Sequence, residues 1–125
     1  MGAATILVVE DNRLNMKLVR DVLEFAGYDV VAATSGEEGV ELAAELRPDL
    51  VLMDLQLPGI DGTEALRRIR LAPGASPVPV VAVTASAMAA DREAASRAGF
   101  DGFLEKPINA RALPSLVAAY LAGPT

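Results

Sequence analysis

Five short apolar runs, each followed by a longer stretch with helical spacing, divide the chain from one end to the other. Residues 5–9 form an uninterrupted apolar run of strand length, suited to burial on both faces of a sheet. Asn12 can cap the next segment, where Leu14, Leu18, Val22 and Phe25 recur at helical spacing. Gly27 stands where a left-handed helix end is wanted. Residues 28–33 read as a second strand. Ser35 with Glu38 three residues on forms a capping box for a helix carrying Val40, Leu42, Ala43 and Leu46, and Pro48 stops it. A third strand over residues 50–53 ends at Asp54. After a loop with Pro58 and Gly59, Asp61 and Glu64 repeat the capping signature, and Ala65, Leu66 and Ile69 supply an apolar stripe. Residues 78–83 make a fourth strand ending at Thr84. A short alanine-rich helix over about residues 91–98 closes at Gly99, and Phe103 and Leu104 mark a brief fifth strand. Asn109 can cap a last helix running to about residue 121. Pro114 deep in that helix would lose a hydrogen bond and clash with the preceding turn, so the helix is expected to start late, with Pro114 in its first turn.

Strands that alternate with helices predict an α/β fold, a doubly wound parallel sheet with helices on both faces, because each right-handed crossover must pack back on the sheet. At 125 residues the chain is expected to be one domain over 1–125, long enough to bury a core. Residues 71–90 carry no charge over a membrane-spanning length. Pro73, Gly74, Pro77 and Pro79 interrupt that stretch and predict loops around a short buried strand, with no membrane insertion. The N-terminus has no basic region before its apolar run, so no signal peptide is expected and the location should be cytoplasmic. The native-looking Met1 and the absence of a linker predict a stand-alone protein, although excision from a larger kinase stays open. A net charge of −6 and few aromatics argue against nucleic acid as a direct partner.

Ligands of open parallel sheets bind outside the carboxyl ends of the strands. Those ends carry Glu10 and Asp11, then Asp54, then Thr84, then Lys106, separated by 43, 30 and 22 positions from Asp11 onward. Acids crowded at one sheet edge repel unless a cation joins them. With no histidine and no cysteine in the chain, the donors are oxygens and the matching ion is hard, such as Mg2+. Asp11 and Asp54 are the expected direct ligands, with Glu10 adjacent or acting through water, and the backbone carbonyl of Gln56 can complete the set. Lys106 supplies an ammonium and Thr84 a hydroxyl donor. These are the parts of a phosphoryl site, in which a carboxylate attacks phosphorus to form an acyl phosphate. Each residue alone also fits a plainer role, such as an acid at a helix N-terminus or a surface lysine. Their joint placement at the strand ends favours the site.

This constellation resembles the response-regulator receiver domain of two-component signalling, over essentially the whole chain. The resemblance is carried by Glu10-Asp11-Asn12, by Leu52-Met53-Asp54-Leu55-Gln56-Leu57-Pro58, by Val81-Ala82-Val83-Thr84-Ala85 and by Glu105-Lys106-Pro107. Among receivers it looks closest to small stand-alone regulators of the DivK type. The resemblance implies a flavodoxin-like strand order 2-1-3-4-5. It implies that Asp54 accepts the phosphoryl group, that Glu10 and Asp11 hold Mg2+, that Lys106 contacts the phosphoryl group and that Thr84 hydrogen-bonds it after transfer. It further implies a cis bond before Pro107, and Gln56 and Ser86 flanking the site. Phe103 occupies the family's aromatic switch position without the hydroxyl that a tyrosine would bring. Phosphorylation would draw Thr84 inward, let Phe103 follow and reshape the surface over residues 87–98, strand five and the last helix. The implied donor is a sensor histidine kinase or a histidine phosphotransfer protein, with the first helix as a docking surface, and the output is contact with a downstream protein target. Of Leu14 and Met16, which face different ways on that helix, the plainer reading makes Leu14 core and Met16 a stray surface residue.

Other classes fit less well. Dehalogenase-like phosphatases place a second aspartate two residues after the nucleophile, where this chain has Gln56. A flavodoxin-like cofactor carrier needs a hydroxyl- and glycine-lined phosphate loop where Glu10 and Asp11 stand. A receiver acting by binding alone would not be expected to keep Asp54, Thr84 and Lys106. The expected chemistry is self-catalysed phosphotransfer and slow dephosphorylation, not turnover of an external substrate.

Overall fold

The computed structural model describes residues 3–72, 77–85 and 88–122. Its elements follow in the order β1 (Thr5–Val9), α1 (Arg13–Phe25), β2 (Asp29–Ala33), α2 (Gly36–Leu46), β3 (Leu50–Asp54), α3 (Gly62–Leu71), β4 (Val80–Thr84), α4 (Ala89–Ala98), β5 (Gly102–Glu105) and α5 (Leu113–Ala122). All pairings are parallel and the strand order is β2-β1-β3-β4-β5. This is the doubly wound α/β fold and the order expected. Pro73, Gly74, Ser86, Ala87 and Met1, which entered the expectations above, lie outside the described residues. Among the described residues no helix is long and apolar enough to cross a membrane.

The apolar runs become central strands because both of their faces are covered. Leu7, Val9, Val51, Met53, Val80 and Ala82 face one layer with Ala65, Leu66, Ile69 and Ala95, while Ile6, Val8, Leu50, Leu52, Val81 and Val83 face the other with Met16, Val19, Leu23, Leu113 and Val117. Side chains alternate across the sheet, so an unbroken apolar run serves two cores at once.

The local signals act as their chemistry requires. Asn12 accepts from the Asn15 N–H at 3.0 Å and caps α1, and Gly27 takes the left-handed conformation just past its end. Ser35 Oγ accepts from the Glu38 N–H at 3.1 Å, and Glu38 reaches back to the Thr34 N–H at 2.7 Å. Asp61 caps α3 through the Glu64 N–H at 2.9 Å, but Glu64 turns to Arg67 and Arg68 in place of reaching back. Asn109 accepts from the N–H groups of Arg111 and Ala112, closing a turn before α5, which starts at Leu113 with Pro114 in its first turn.

One expectation is overturned. Of the apolar stripe read along α1, only Val22 packs partly against the core: Leu14 is 79% exposed and Phe25 96%, Leu18 is exposed as well, and the buried positions are Met16, Val19 and Leu23. Leu14 and Met16 thus exchange the places that the plainer reading gave them. Both sets have helical spacing, so periodicity alone did not choose between them. Helix α1 follows Asn12 directly, and its phase on the sheet turns Met16 inward.

Candidate functional site

The carboxyl ends of β1, β3, β4 and β5 bring the singled-out residues to one edge of the sheet. Glu10 follows β1 directly, and its N–H donates to the Ala33 carbonyl at 2.9 Å, fixing the chain as it leaves the sheet. Asp54 is the last residue of β3, and Thr84 the last of β4. Lys106 follows β5, its N–H donating to the Thr84 carbonyl at 2.7 Å, and its bond to Pro107 is cis, as the resemblance implied.

Glu10, Asp54 and Thr84 are buried, while Asp11 is exposed. Carboxylate oxygens of Glu10, Asp11 and Asp54 all lie within 4.8 Å of one another. Lys106 Nζ stands between two of these acids, 2.8 Å from Asp54 Oδ2 and 2.9 Å from Glu10 Oε1. The second oxygen of each buried acid is held by main chain: Asp54 Oδ1 accepts from the Gln56 N–H at 2.9 Å, and Glu10 Oε2 from the Asn12 N–H at 3.0 Å. Burial pushes the Glu10 carboxyl above its usual range, against the pull of Lys106 and the Asn12 N–H, and neighbouring Asp54 pushes the same way as burial. Burial also works against the Lys106 ammonium, but its hydrogen bonds to Asp54 and Glu10 outweigh that and hold its pKa above the ordinary value. The lysine acts as an internal counter-ion for two desolvated acids.

These groups line a cleft of about 600 Å³ together with Asp11, Asn12, Arg13, Leu14, Asn15 and Gln56. Glu10, Asp11, Asp54, Gln56 and Lys106 therefore meet as expected. Thr84 and Phe103 stand outside the described lining, on the adjoining strands. Their own relation is close, because Ala82 pairs with Phe103 and Thr84 with Glu105, placing Thr84 and Phe103 on the same face of the sheet. The first turn of α1 contributes Arg13, Leu14 and Asn15 to the cleft wall, which the sequence reading had not placed there. Their position directly after the acid pair was the available signal. The brace on the loop after β3 was also missed. Gly36 packs against Ile60 with no room for a side chain, and Glu37 accepts from the Ile60 N–H at 3.4 Å. This holds the segment that carries Gln56.

The donor set fits a hard divalent cation. It is all oxygen, two of its acids are pre-oriented by main-chain donors, and the open cleft leaves room for water and a further anionic ligand. Lys106 already shows that the pocket takes positive charge.

Comparison with known proteins points the same way. The polar-differentiation response regulator DivK of Brucella anthropi is 40% identical over 117 residues, covering 94% of this chain and 95% of its own, and that of Brucella abortus gives the same figures. Among solved structures, the receiver domain of a sensor histidine kinase from Pseudomonas aeruginosa, with a magnesium ion coordinated in its active-site cleft, superposes with a TM-score of 0.89. It shares 34% identity and covers 98% of this chain and 100% of its own. The chemotaxis response regulator CheY4 of Vibrio cholerae gives a TM-score of 0.88 at 26% identity, with 94% and 98% coverage. The response regulator receiver domain family matches residues 6–118. That match opens in β1 and closes inside α5, so all the strand ends that build the cleft fall within it, and the chain belongs to the response regulator receiver domain family.

Proposed function

We propose that this chain is a phosphoacceptor of two-component signalling: Asp54 takes a phosphoryl group from a phosphohistidine, and the change is read by a protein partner. The observation that carries the reading is the position of Lys106 Nζ, within hydrogen-bond distance of both Asp54 and Glu10 in a cleft walled by three carboxylates. Such an arrangement has charge available to balance an arriving phosphoryl group and an acid placed to receive it.

In the transfer step a carboxylate oxygen of Asp54 forms a bond to phosphorus as the phosphorus–nitrogen bond of the donor breaks, its electron pair staying on the imidazole nitrogen. Glu10, Asp11, Asp54 and the main-chain carbonyl of Gln56 would hold Mg2+, whose chemistry is to neutralise charge on the phosphoryl oxygens. Lys106 exchanges its contact with the Asp54 carboxylate for one with a phosphoryl oxygen. The Gln56 N–H keeps Asp54 oriented throughout. Thr84, at the end of the neighbouring strand, donates its hydroxyl to the acyl phosphate. The added charge and acceptor oxygens bias Thr84 and Phe103 toward a second arrangement, with coupling of about 1–3 kcal/mol between site and surface.

The donor is a sensor histidine kinase or a histidine phosphotransfer protein, and the reader is a downstream protein target, all in the cytoplasm. The whole chain, 1–125, acts as one domain. It promotes its own phosphorylation and slow dephosphorylation and turns over no external substrate. Incubation with acetyl phosphate and Mg2+ followed by intact mass measurement tests the reading. The expected result is a gain of one phosphoryl group in the wild type and none in Asp54→Asn; equal labelling of both proteins, or continuous release of phosphate from simple phosphate esters, would overturn it.

A further inference from the structure

We propose that Arg92 is a positioning residue for the Phe103 ring, holding it in its present place and so setting how readily phosphorylation at Asp54 reaches the outer surface. The inference rests on the function proposed above and concerns a residue which that mechanism does not use. The Arg92 guanidinium carbon lies 5.7 Å from the centroid of the Phe103 ring, inside the range of a cation–π attraction. Arg92 is exposed and Phe103 half-buried, so the guanidinium caps the solvent side of the ring.

The sheet register shows what this cap opposes. Phe103 pairs with Ala82, and Thr84 shares their face two residues further along β4. Ala82 has only a methyl group, so the ring borders a small side chain on the path toward Thr84. A ring moving that way gains burial and gives up Arg92. A tyrosine at this position could also be fixed by a hydrogen bond from its hydroxyl; phenylalanine has none, which leaves packing and Arg92 to decide where the ring rests.

Helix α4 is lightly held. It buries one side chain, Ala95, and Met88 at its N-terminus provides no capping hydrogen bond. Arg92 is flanked in sequence by Asp91 and Glu93, and Glu93 pairs with Arg97 at 3.2 Å. The contact with Phe103 is thus a direct tie between α4 and β5. Ring position and helix position are coupled through the Arg92 side chain, and loss of that tie favours the arrangement in which the ring has left.

The test is a titration of the full chain with beryllium fluoride, a phosphoryl mimic, in the presence of Mg2+, read by amide chemical shifts along β4 and β5. Wild type, Arg92→Gln, Phe103→Leu and the double variant form a cycle, with Arg92→Lys as the conservative variant and thermal unfolding as the check on folding. The expected result is that Arg92→Gln tightens the apparent affinity for the mimic about two- to five-fold when Phe103 is present. It has no effect in the Phe103→Leu background, and Arg92→Lys falls in between. A change of equal size in both backgrounds, no change at all, or weaker binding overturns the positioning role. If in those cases the wild type still binds the mimic, the phosphorylation reading stands. A wild type that does not bind the mimic overturns both.

Discussion

Replacing Lys106 by methionine keeps much of the apolar stem and removes the charge that two buried acids share. Glu10 and Asp54 present oxygens within 4.8 Å of each other, each about 3 Å from Nζ. At an effective dielectric constant near 20, two like charges at that separation repel by about 3.5 kcal/mol. Removing one partner of a buried ion pair typically costs 3–5 kcal/mol. The Lys106 side chain is 21% exposed and the cleft is open to water, which places the expected loss near the bottom of that range, about 3 kcal/mol. For a domain of this size that corresponds to a drop of about 10 °C in Tm. The sign of the pH dependence follows from Glu10. Its carboxyl is already raised by burial, and Lys106 is the strongest influence pulling it back. Without the lysine, the folded protein binds more protons than the unfolded chain around the carboxylate range. Stability is then fully present below the ordinary carboxylate pKa and is lost as pH rises through the elevated folded value. The deficit relative to wild type should therefore shrink as the pH is lowered toward about 4. Added Mg2+ should also raise the Tm of Lys106→Met more than that of wild type, because the variant has lost its internal counter-ion. Thermal unfolding by circular dichroism at several pH values, with and without Mg2+, measures all three effects. An unchanged Tm at neutral pH, or a deficit insensitive to both pH and Mg2+, would refute the assignment of Lys106 as the charge partner of these acids.

Three further outcomes are expected. Leu23→Ala in α1 should lose about 2–5 kcal/mol of stability in denaturant unfolding, while Leu14→Ala stays within about 0.5 kcal/mol, since Leu23 is fully buried and Leu14 exposed. Gly62→Ala would press its new methyl group against the Asp54 carbonyl and the Leu55 backbone. It should cost about 1–3 kcal/mol and slow labelling by acetyl phosphate, because the strand end carrying the acceptor has to shift. Glu64 is pulled down to about 2, first by its hydrogen bond from Arg67 and then by that from Arg68. Its contribution to α3 is thus present above the ordinary glutamate pKa and fades as pH falls toward 2, a midpoint that carbon NMR reads directly and that added salt should move back up.

The strands and most helix boundaries were legible because local chemistry fixes them. Unbroken apolar runs match a sheet covered on both faces, and Asn12, Ser35 and Asp61 each accept from the first turn of the helix they open. The strand-end acids, the hydroxyl and the lysine were legible as a group because parallel topology sends every such end to one edge. What the sequence left unread depends on three-dimensional choices between local equals. Helix α1 carries two apolar sets at helical spacing, and only its packing on the sheet decides that Met16, Val19 and Leu23 go inward. Glu64 has an equally good local option in Asp61 and in the two arginines that follow, and the charged partners win. Arg47 adopts a left-handed conformation at the end of α2, with φ at 47°, where glycine would be the usual choice and no residue pattern announces it. The bracing of the loop by Glu37 and the contact of Arg92 with Phe103 join residues 23 and 11 positions apart, through side chains that carry no motif.

Reduction with borohydride turns an aspartyl phosphate into homoserine and marks the acceptor permanently. Applied to the chain after incubation with acetyl phosphate and Mg2+, and followed by peptide mass spectrometry, it should find homoserine at position 54 and nowhere else, with none formed when a chelator is present from the start. Homoserine at position 11, or the longer alcohol 5-hydroxynorvaline at position 10, in place of homoserine at 54, or unchanged aspartate at 54 in a chain that has gained a phosphoryl group, would contradict the assignment of Asp54 as the acceptor.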